Sequence, residues 1–306
     1  MLPGNNITLT AHEFELFREL VYEETGISLR DQKRLLLNNR LLKRLRHYGF
    51  GCFMEYYEYV RCGGGMGGEI QELINAVTTN KTEFFRESHH FDMLAELLLS
   101  PAAHATALGS RPRLRIWSAG CSTGEEPYSI AITIAMHLER LAAWDIKILA
   151  SDIDTSVLER ARAAIYSREA VRGLPHDILK KHLLSGTGEH ADSVQIKPEI
   201  RNLVEFAHIN LMKEPWPFHG KLDAIFCRNV IIYFDQETQR RLVESFARWL
   251  KPGGLFFAGH SENLFWLGDL LEPIGQTVYR MRGTSPDALR TPPVTMWPAP
   301  NSRGRS

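Results

Sequence analysis

Apolar residues recur at helical spacing through about the first ninety residues of the chain. A stripe of them after Thr10, a predicted N-cap, predicts a helix from Ala11 to about Thr25, ended by Gly26. Three more helices are predicted, at about Arg30–Tyr48, Phe53–Val60 and Glu69–Val77. Because no alternating β pattern interrupts them, residues 1–90 are interpreted as a small all-helical N-terminal domain with its linker.

The pattern changes near Arg113, from where short apolar runs alternate with helical stretches. The predicted strands are Leu114–Ser118, Ile146–Ser151, Val204–Ile209, Leu222–Cys227, Leu255–Gly259 and a final antiparallel strand, Ile274–Arg280. The predicted helices are Tyr128–Leu141, Ser156–Ala164 and Gln236–Leu250, and a turn at Lys251–Gly254 leads from the last helix into a strand. Residues 91–283 are therefore interpreted as an α/β domain whose sheet is doubly wound and mostly parallel.

Three segments depart from these two patterns. Residues 166–203 contain turn residues and a short apolar run, Val194–Ile196, which together indicate a small inserted β-subdomain. The glycines at 63–65 and 67–68 predict a flexible turn. The tail, 284–306, is rich in proline and poor in apolar residues, a composition typical of disorder.

Charge and cysteine usage narrow the function classes. The 36 Lys and Arg balance 36 Asp and Glu, so the formal net charge is zero and no nucleic-acid partner is expected. The four cysteines are scattered without a C-x-x-C pair, and the N-terminus lacks a signal-peptide pattern. With no apolar run near the ~18 residues of a membrane helix, we expect a soluble cytoplasmic protein without direct membrane insertion.

The loop after the first predicted strand has the character of a ligand site. It reads SAGCSTGEEP at 118–127, where two glycines and small residues let the backbone turn tightly beside a ligand. It contains neither a dinucleotide fingerprint nor a P-loop. Glu125 and Glu126 at the helix start disfavour a phosphate and favour a neutral or cationic ligand with hydroxyls, such as a nucleoside with an amino or sulfonium group. The alternative is that both glutamates only stabilise the helix N-terminus.

Polar residues follow three further predicted strands. Asp152 ends the second strand, where an acid commonly accepts ribose hydroxyls, whereas Asp154 is assigned to the N-cap of the next helix. Asn210 follows the third strand and Asn229 the fourth, at the carboxyl ends where parallel sheets build ligand sites. A lone asparagine there is usually a turn residue, but two of them with Asp152 and the glycine loop predict one site.

A polar segment with the sequence TTNKTEFFRE, at 78–87, precedes the sheet. It is interpreted as an inter-domain segment, half packed and half lining a cleft, with Phe84 and Phe85 in the core. His89 and His90 are interpreted as surface or packing histidines. No metal site is predicted, because no further ligand lies at metal-binding spacing from them.

The chain resembles the chemotaxis receptor glutamate methyltransferases, the CheR type, in six strings: TTNKTEFFRE, SAGCSTGEEPYS, ASDID, HINLM, CRNVIIYF and LKPGGLFFAGHSE. The resemblance covers about Ile7 to Arg282. It implies the S-adenosylmethionine methyltransferase fold, with S-adenosylmethionine as cofactor and S-adenosylhomocysteine as product. The residues that would contact the cofactor are Asn80, Thr82, Arg86, Glu125, Asp152, Asn210, Leu211, Asn229 and Val230.

The resemblance also implies a substrate and catalytic residues. Glutamates on cytoplasmic helices of chemotaxis receptors would become methyl esters, with Arg86 and Tyr233 facing the methyl-transfer centre. Of the two loop glutamates, Glu125 is assigned the cofactor contact because it is nearer the glycine turn. In some family members the inserted β-subdomain, here 166–203, binds a short peptide at the receptor's C-terminus.

The chemistry of a glutamate substrate agrees with the absence of a nucleophilic Cys or Ser motif. A glutamate side chain is already ionised at neutral pH, so its attack on a sulfonium methyl group needs no general base. The protein's task is then alignment and exclusion of water. Arg86 is assigned to orienting the carboxylate, and Tyr233 to a hydrogen bond or to holding the sulfonium.

The second predicted helix carries an excess of positive charge. Seven basic residues and one aspartate lie between Arg30 and Arg46. At about 100° per residue, five of the basic side chains share an arc of about 120°: Arg30, Lys33, Arg34, Arg40 and Arg44. A solvated amphipathic face is the ordinary interpretation. Because these charges serve no evident packing need, the helix at 30–46 is predicted to contact glutamate-rich receptor helices.

Two other functions are compatible with parts of this pattern. One is methylation of RNA or of a different protein, although no aromatic stacking platform accompanies the basic helix. The other is a non-catalytic sensor or adaptor that binds S-adenosylmethionine, which would be expected if Arg86 or Tyr233 were replaced. Both residues are present.

Overall fold

Four helices make up the N-terminal part of the chain, in the predicted order. The computed structural model describes residues 7–64, 68–99 and 111–282, so the middle of the predicted glycine turn, at 65–67, and the tail from 283 lie outside the described residues. The helices are α1 Ala11–Thr25, α2 Arg34–Tyr48, α3 Phe53–Arg61 and α4 Gly68–Val77. Their apolar faces meet in one core, in which Phe17, Leu41 and Tyr56 are fully buried.

Capping residues set both ends of α1. The Thr10 hydroxyl accepts a hydrogen bond from the backbone N–H of Glu13, and the Glu13 carboxylate accepts one from Thr10 N at 2.9 Å, which completes a capping box. Gly26 ends the helix with φ 72°, a conformation that favours glycine. A Cβ at Gly26 would lie 2.8 Å from the Met212 side chain, so glycine also lets α1 approach the α/β part of the chain.

Ten strands in the described residues form two sheets. In chain order they are β1 Arg113–Ala119, β2 Asp145–Asp152, β3 Ile165–Ser167, β4 Leu183–Ser185, β5 Ser193–Ile196, β6 Val204–His208, β7 Leu222–Cys227, β8 Leu250–Ala258, β9 Leu271–Gly275 and β10 Val278–Met281. The large sheet has the order β6-β2-β1-β7-β8-β10-β9, parallel from β6 to β8 and antiparallel from there on. The predicted doubly wound, mostly parallel sheet is confirmed.

Helices cover both faces of the large sheet. The helices of this part are α5 His89–Leu98, α6 Glu125–His137, α7 Thr155–Ala163, α8 His176–His182, α9 Pro198–Arg201 and α10 Gln236–Trp249, of which α8 packs against β4 of the small sheet. Neighbouring residues of β1 point to opposite faces: Ile116 belongs to the core that includes Ile130 of α6, whereas Trp117 packs against Phe246 of α10. None of the described helices is long and apolar enough to span a bilayer.

Three details correct the predicted elements. Helix α5 lies where no helix is predicted, and it places His90 in the core, where its Nε2 is 2.9 Å from the carbonyl oxygen of Gln276. The predicted final strand Ile274–Arg280 is instead the hairpin β9–β10, which turns at Gln276 and Thr277, both with positive φ. The turn at Lys251–Gly254 lies inside β8, where the register against β7 shifts, so it is a bulge rather than a connection.

The small sheet confirms that a β-subdomain is inserted, with strands that lie between Ile165 and Ile196. Its three antiparallel strands have the order β3-β5-β4. The Tyr166 hydroxyl on β3 donates a hydrogen bond to the Thr123 carbonyl oxygen at 2.8 Å, and the Phe84 ring meets the Tyr166 ring edge-on. The insertion therefore packs against the back of the glycine loop.

Candidate functional site

A cavity of about 600 Å³ opens at the carboxyl ends of the parallel strands. Nine of the ten residues assigned to cofactor or catalysis from the sequence line it: Asn80, Thr82, Arg86, Asp152, Asn210, Leu211, Asn229, Val230 and Tyr233. The N-terminal part supplies a second wall, from Thr25 to Leu36. The site thus lies where the two parts of the chain meet, with the segment at 78–87 between them, as the sequence predicts.

Gly120 lets two loops of the cavity wall approach each other. Its φ is 83°, in the region that favours glycine, and a Cβ there would overlap with Cγ2 of Val230. The backbone N–H of Gly120 and that of Cys121 both donate to the Ser151 carbonyl oxygen at 2.8 Å. The loop after β1 is therefore held against the end of β2 and the loop after β7.

Asp152 is buried at the end of β2, and its carboxylate fixes the glycine loop. Oδ2 accepts a hydrogen bond from Ser122 N at 2.8 Å, and Oδ1 accepts one from Asp154 N at 3.0 Å. Burial raises the pKa of Asp152 to about 6, although these two N–H groups favour the ionised form. Asp154 caps α7 through Ser156 N at 2.9 Å, the role predicted for it.

The two loop glutamates lie differently with respect to the cavity, and the one assigned to the cofactor from the sequence, Glu125, is outside its wall. Glu126 lines the cavity, whereas Glu125 does not, and the Glu125 carboxylate accepts a hydrogen bond from the Thr123 hydroxyl at 2.6 Å. At a helix start, consecutive residues point about 100° apart, so proximity to the glycine turn does not determine which one faces the site. The Glu126 carboxylate accepts a hydrogen bond from the Ser118 hydroxyl at 2.7 Å, and its Oε2 forms an ion pair with Nη1 of Arg228 at 3.2 Å.

Arg86 faces the cavity with two of its N–H groups already bonded. Nη2 donates to Oδ1 of Asn229 at 2.6 Å, and Nη1 donates to the Lys81 carbonyl oxygen at 3.0 Å. Asn229 itself has a positive φ of 60° in the turn after β7. The guanidinium is therefore held in one orientation, with its remaining N–H groups available to an anion in the cavity.

Tyr233 lies close to Arg86 on the same wall. Burial raises its pKa, while a hydrogen bond with Thr79 and the nearby charge of Arg86 act in the opposite direction. The hydroxyl therefore stays protonated at neutral pH and can donate a hydrogen bond. The Tyr233 carbonyl oxygen accepts from Ser28 N at 2.8 Å, which ties this residue to the N-terminal wall.

Two of the predicted cofactor residues use their side chains within the protein. Asn210 donates to the Glu24 carbonyl oxygen at 2.6 Å and accepts from Met212 N at 2.9 Å. Asn80 donates to Oδ2 of Asp154 at 2.7 Å. In this structure both asparagines therefore connect the α/β part to the N-terminal part, a role that the sequence does not reveal.

Two basic residues in the wall were not predicted to lie near the cofactor loops. Arg30 and Lys33, just before α2, line the cavity beside Ser28. They are separated in sequence by about ninety residues from the glycine loop and by about two hundred from Tyr233. Contacts between the end of α1 and the loop after β6, such as that of Glu24 with Asn210, bring these distant segments together, so no local pattern could have identified them.

The other arginines of the predicted basic arc have intramolecular partners, which corrects the view that they serve no packing need. Arg40 donates to carbonyl oxygens at the end of α4, including that of Val77 at 2.9 Å. Arg44 makes a two-pronged pair with the buried carboxylate of Glu69, at 2.8 and 2.6 Å. Arg34 donates to the Leu9 carbonyl oxygen at 2.8 Å. These three residues hold the helical part together.

Two family models match this arrangement of helical domain and sheet. Residues 12–78 match the CheR methyltransferase all-alpha domain, and residues 80–280 match the CheR methyltransferase SAM binding domain. The chain belongs to the CheR methyltransferase family. The resemblance inferred from the six strings is therefore confirmed, and the CheR chain is an S-adenosylmethionine-dependent methyltransferase of the chemotaxis type.

Relatives that match almost the whole CheR chain are named as chemotaxis methyltransferases. The chain is 48% identical over 272 residues to chemotaxis protein methyltransferase 2 of Pseudomonas aeruginosa, covering 88% of this chain and 93% of the relative. It is 44% identical over 276 residues to the chemotaxis protein methyltransferase of Escherichia coli, covering 90% and 92%.

The cavity fits S-adenosylmethionine, the family's cofactor. Asp152 places a carboxylate at the end of β2, where it would accept hydrogen bonds from ribose hydroxyls, and Ile153, Leu211 and Val230 line the cavity with apolar surface that would contact a base. The glycine loop presents Glu126 and no lysine or arginine between 118 and 127, a charge pattern that suits a cationic ligand better than a phosphate.

Proposed function

We propose that the CheR chain methylates glutamate side chains of chemotaxis receptors in the cytoplasm, producing glutamate methyl esters and S-adenosylhomocysteine. The observation that carries this proposal is the oriented guanidinium of Arg86. It is fixed by Asn229 and the Lys81 carbonyl oxygen, and it turns its remaining N–H groups towards a cavity that also contains Tyr233. A carboxylate is the group that such a pair of donors would orient.

The residues present match the needs of this reaction. When bound, S-adenosylmethionine supplies an activated methyl group. A glutamate is ionised at neutral pH, so the protein needs to align it rather than deprotonate it. Arg86 would hold the carboxylate, and the Tyr233 hydroxyl would donate a hydrogen bond near the reacting atoms. The N-terminal wall, from Thr25 to Leu36, would exclude water from this centre.

The charge of the cavity mouth supports an acidic protein substrate. Arg30, Lys33 and Lys81 line the cavity, and none of them has a hydrogen-bond or ion-pair partner among the described side chains. A glutamate-rich helix would be attracted to this positive mouth. We extend the proposal to the inserted subdomain at 166–203 as the contact for a receptor C-terminal peptide.

The test is transfer of a labelled methyl group to receptors. The purified chain is incubated with tritiated S-adenosylmethionine and receptor-bearing membranes, and the membranes are then treated with alkali. Volatile labelled methanol is expected, because a carboxyl methyl ester is hydrolysed by base. Base-stable label would indicate methylation of a different group. Calorimetric binding of S-adenosylhomocysteine without any label transfer would support the non-catalytic adaptor.

A further inference from the structure

Glu262 is a buried carboxylate that lies behind the methyl-transfer wall. It follows β8 in the chain and is only 3% exposed. Its Oε2 accepts hydrogen bonds from the backbone N–H of Asn229, at 2.9 Å, and of Gly259. Its Oε1 accepts from Ile232 N at 3.3 Å. One side chain thus connects the end of β8 to the turn after β7.

The turn that Glu262 holds carries the proposed catalytic residues. Asn229 has a φ of 60° there, a left-handed conformation that asparagine adopts more readily than most other residues with a side chain. Its side chain fixes Arg86 through the 2.6 Å hydrogen bond, and Tyr233 follows Ile232 directly. Glu262 therefore holds the backbone of Asn229, and the side chain of Asn229 in turn holds the Arg86 guanidinium.

The same turn is enclosed from two other directions. A Cβ at Gly259 would lie 2.7 Å from Nδ2 and 2.8 Å from N of Asn229, so glycine is needed for this close approach. Glu87 accepts from Nδ2 of Asn229 at 3.3 Å and from His260 N at 3.2 Å, and it pairs with the buried Arg228 at 3.1 Å. Asn229 is therefore confined, and Glu262 supplies the contact to its backbone.

We propose that Glu262 is a positioning residue for methyl transfer, which fixes Arg86 and Tyr233 by holding the backbone of the Asn229–Tyr233 turn. It touches neither substrate nor cofactor in this role. The inference rests on the proposed function for the parts assigned to Arg86 and Tyr233. Burial raises the pKa of Glu262, while the backbone N–H groups of Gly259, Asn229 and Ile232 favour its ionised form.

The first test is Glu262→Gln, which keeps the size of the side chain but turns an amide NH₂ towards backbone N–H groups. We expect kcat for receptor methylation to fall about a hundred-fold, the typical effect of misplacing a catalytic group by about 1 Å. The Kd for S-adenosylhomocysteine should rise by less than about tenfold, because most of the cavity wall is untouched. Glu272→Gln, on the exposed side of β9, makes the same charge change and should leave both values unaltered.

A second variant moves the same turn without changing charge. Gly259→Ala places a methyl group against Asn229 and should reproduce the kinetic signature of Glu262→Gln, with kcat reduced more than cofactor affinity. If Glu262→Gln does not fold, Gly259→Ala still tests whether the position of this turn determines kcat. Normal kcat in either folded variant would overturn the proposal.

A double-substitution cycle shows whether Glu262 acts on turnover through Arg86 or through a general loss of structure. In the Arg86→Lys background, Glu262→Gln should lower kcat by no more than about tenfold, the part that acts through Tyr233, because Arg86 has already been replaced. If the two losses multiply, Glu262 acts independently of Arg86 and the inference is wrong. Hydrogen exchange of the 229–233 amides, with S-adenosylhomocysteine bound, should accelerate in Glu262→Gln. This measurement needs no methylated substrate, so it tests the inference even if the receptor proposal fails.

Discussion

The guanidinium of Arg44 on α2 makes a bidentate ion pair with the carboxylate of Glu69 on α4, with Nε–Oε1 and Nη2–Oε2 distances of 2.8 and 2.6 Å. The Glu69 side chain is 1% exposed and also accepts hydrogen bonds from the hydroxyls of Tyr48 and Tyr56. Burial opposes ionisation of Glu69, but these donors outweigh it and lower its pKa. The pair is therefore a structural element of the helical part.

Arg44→Ala should destabilise the protein by about 3 kcal/mol, because it leaves a buried carboxylate without its cation. Denaturant unfolding followed by circular dichroism measures this loss. Lys43→Ala, at the exposed neighbouring position, should change the free energy of unfolding by less than about 0.5 kcal/mol. Equal stability of the two variants would show that the Arg44–Glu69 pair contributes nothing to folding.

Charge reversal of Arg30 and Lys33, at the mouth of the cavity, should weaken receptor binding and not the stability of the fold. Arg30→Glu combined with Lys33→Glu is expected to raise KM for receptor about tenfold or more, with kcat at saturation and the Kd for S-adenosylhomocysteine nearly unchanged. Steady-state kinetics on receptor membranes measures these values. Added salt should imitate the variant in wild type, because exposed charges are screened over roughly 8–10 Å.

The matched control for this reversal is Lys43→Glu with Arg46→Glu. Both residues are exposed on α2, and neither lines the cavity. If this control raises KM as much as the reversal at Arg30 and Lys33 does, the effect comes from the net charge of the helix. If neither double variant nor salt changes KM, the mouth does not contact an acidic partner.

The sequence predicts the elements and most of the site because the signals are local. Strand-ending polar residues such as Asp152 and Asn229 follow directly from apolar runs, and parallel strands place their carboxyl ends at one edge. Thr10 and Gly26 are recognised as helix caps from their neighbours alone. The hairpin turn at Gln276 and Thr277 is missed, because neither residue carries the glycine or asparagine signal of a positive φ.

What the sequence does not predict depends on contacts between distant segments. Arg40 and Arg44 share the predicted basic arc with Arg30, and periodicity cannot distinguish a cation that pairs with Glu69 from one that lines a cavity. The buried role of Glu262 requires the crossover through α10 that places the ends of β7 and β8 side by side, and that of Arg228 requires the approach of Glu87 from a distant segment. The choice between Glu125 and Glu126 depends on the rotation of α6 about its axis, which only packing sets.

Cofactor affinity should depend on pH through Asp152. Burial raises its pKa from the ordinary 3.8 to about 6. Ribose hydroxyls would donate to the ionised form, so affinity for S-adenosylhomocysteine should be highest above pH 7. It should decline as pH falls through 6, by up to about tenfold per pH unit. Calorimetric titrations between pH 5 and 8 measure this.

The free energy of unfolding should depend on pH with the opposite sign to cofactor affinity, so the two effects of Asp152 can be measured separately. Because the folded-state pKa of Asp152 lies above the unfolded value, this group destabilises the fold above pH 6 and ceases to do so as the pH falls. Asp152→Asn should therefore bind the cofactor more weakly with a flatter pH profile, and its free energy of unfolding should vary less than that of wild type between about pH 4 and 7. A profile unchanged in Asp152→Asn would assign the titration to another group, with Glu126 the next candidate.

Substitutions at Arg86 and Tyr233 should lower turnover more than they weaken cofactor binding. Arg86→Ala removes both the charge and the hydrogen bond to Asn229, so kcat should fall about a hundred-fold. Arg86→Lys keeps the charge but not the fork of donors, and it should recover only part of that loss. Tyr233→Phe should reduce kcat about two- to tenfold, the value of one hydrogen bond.

The measurements for the Arg86 and Tyr233 variants are single-turnover methylation and the Kd for S-adenosylhomocysteine. Tyr59→Phe, outside the cavity wall, is the control for loss of a hydroxyl. Full turnover in Tyr233→Phe would leave only its ring as a contributor, whereas parallel losses in kcat and affinity for Arg86→Ala would make Arg86 a cofactor-binding residue alone.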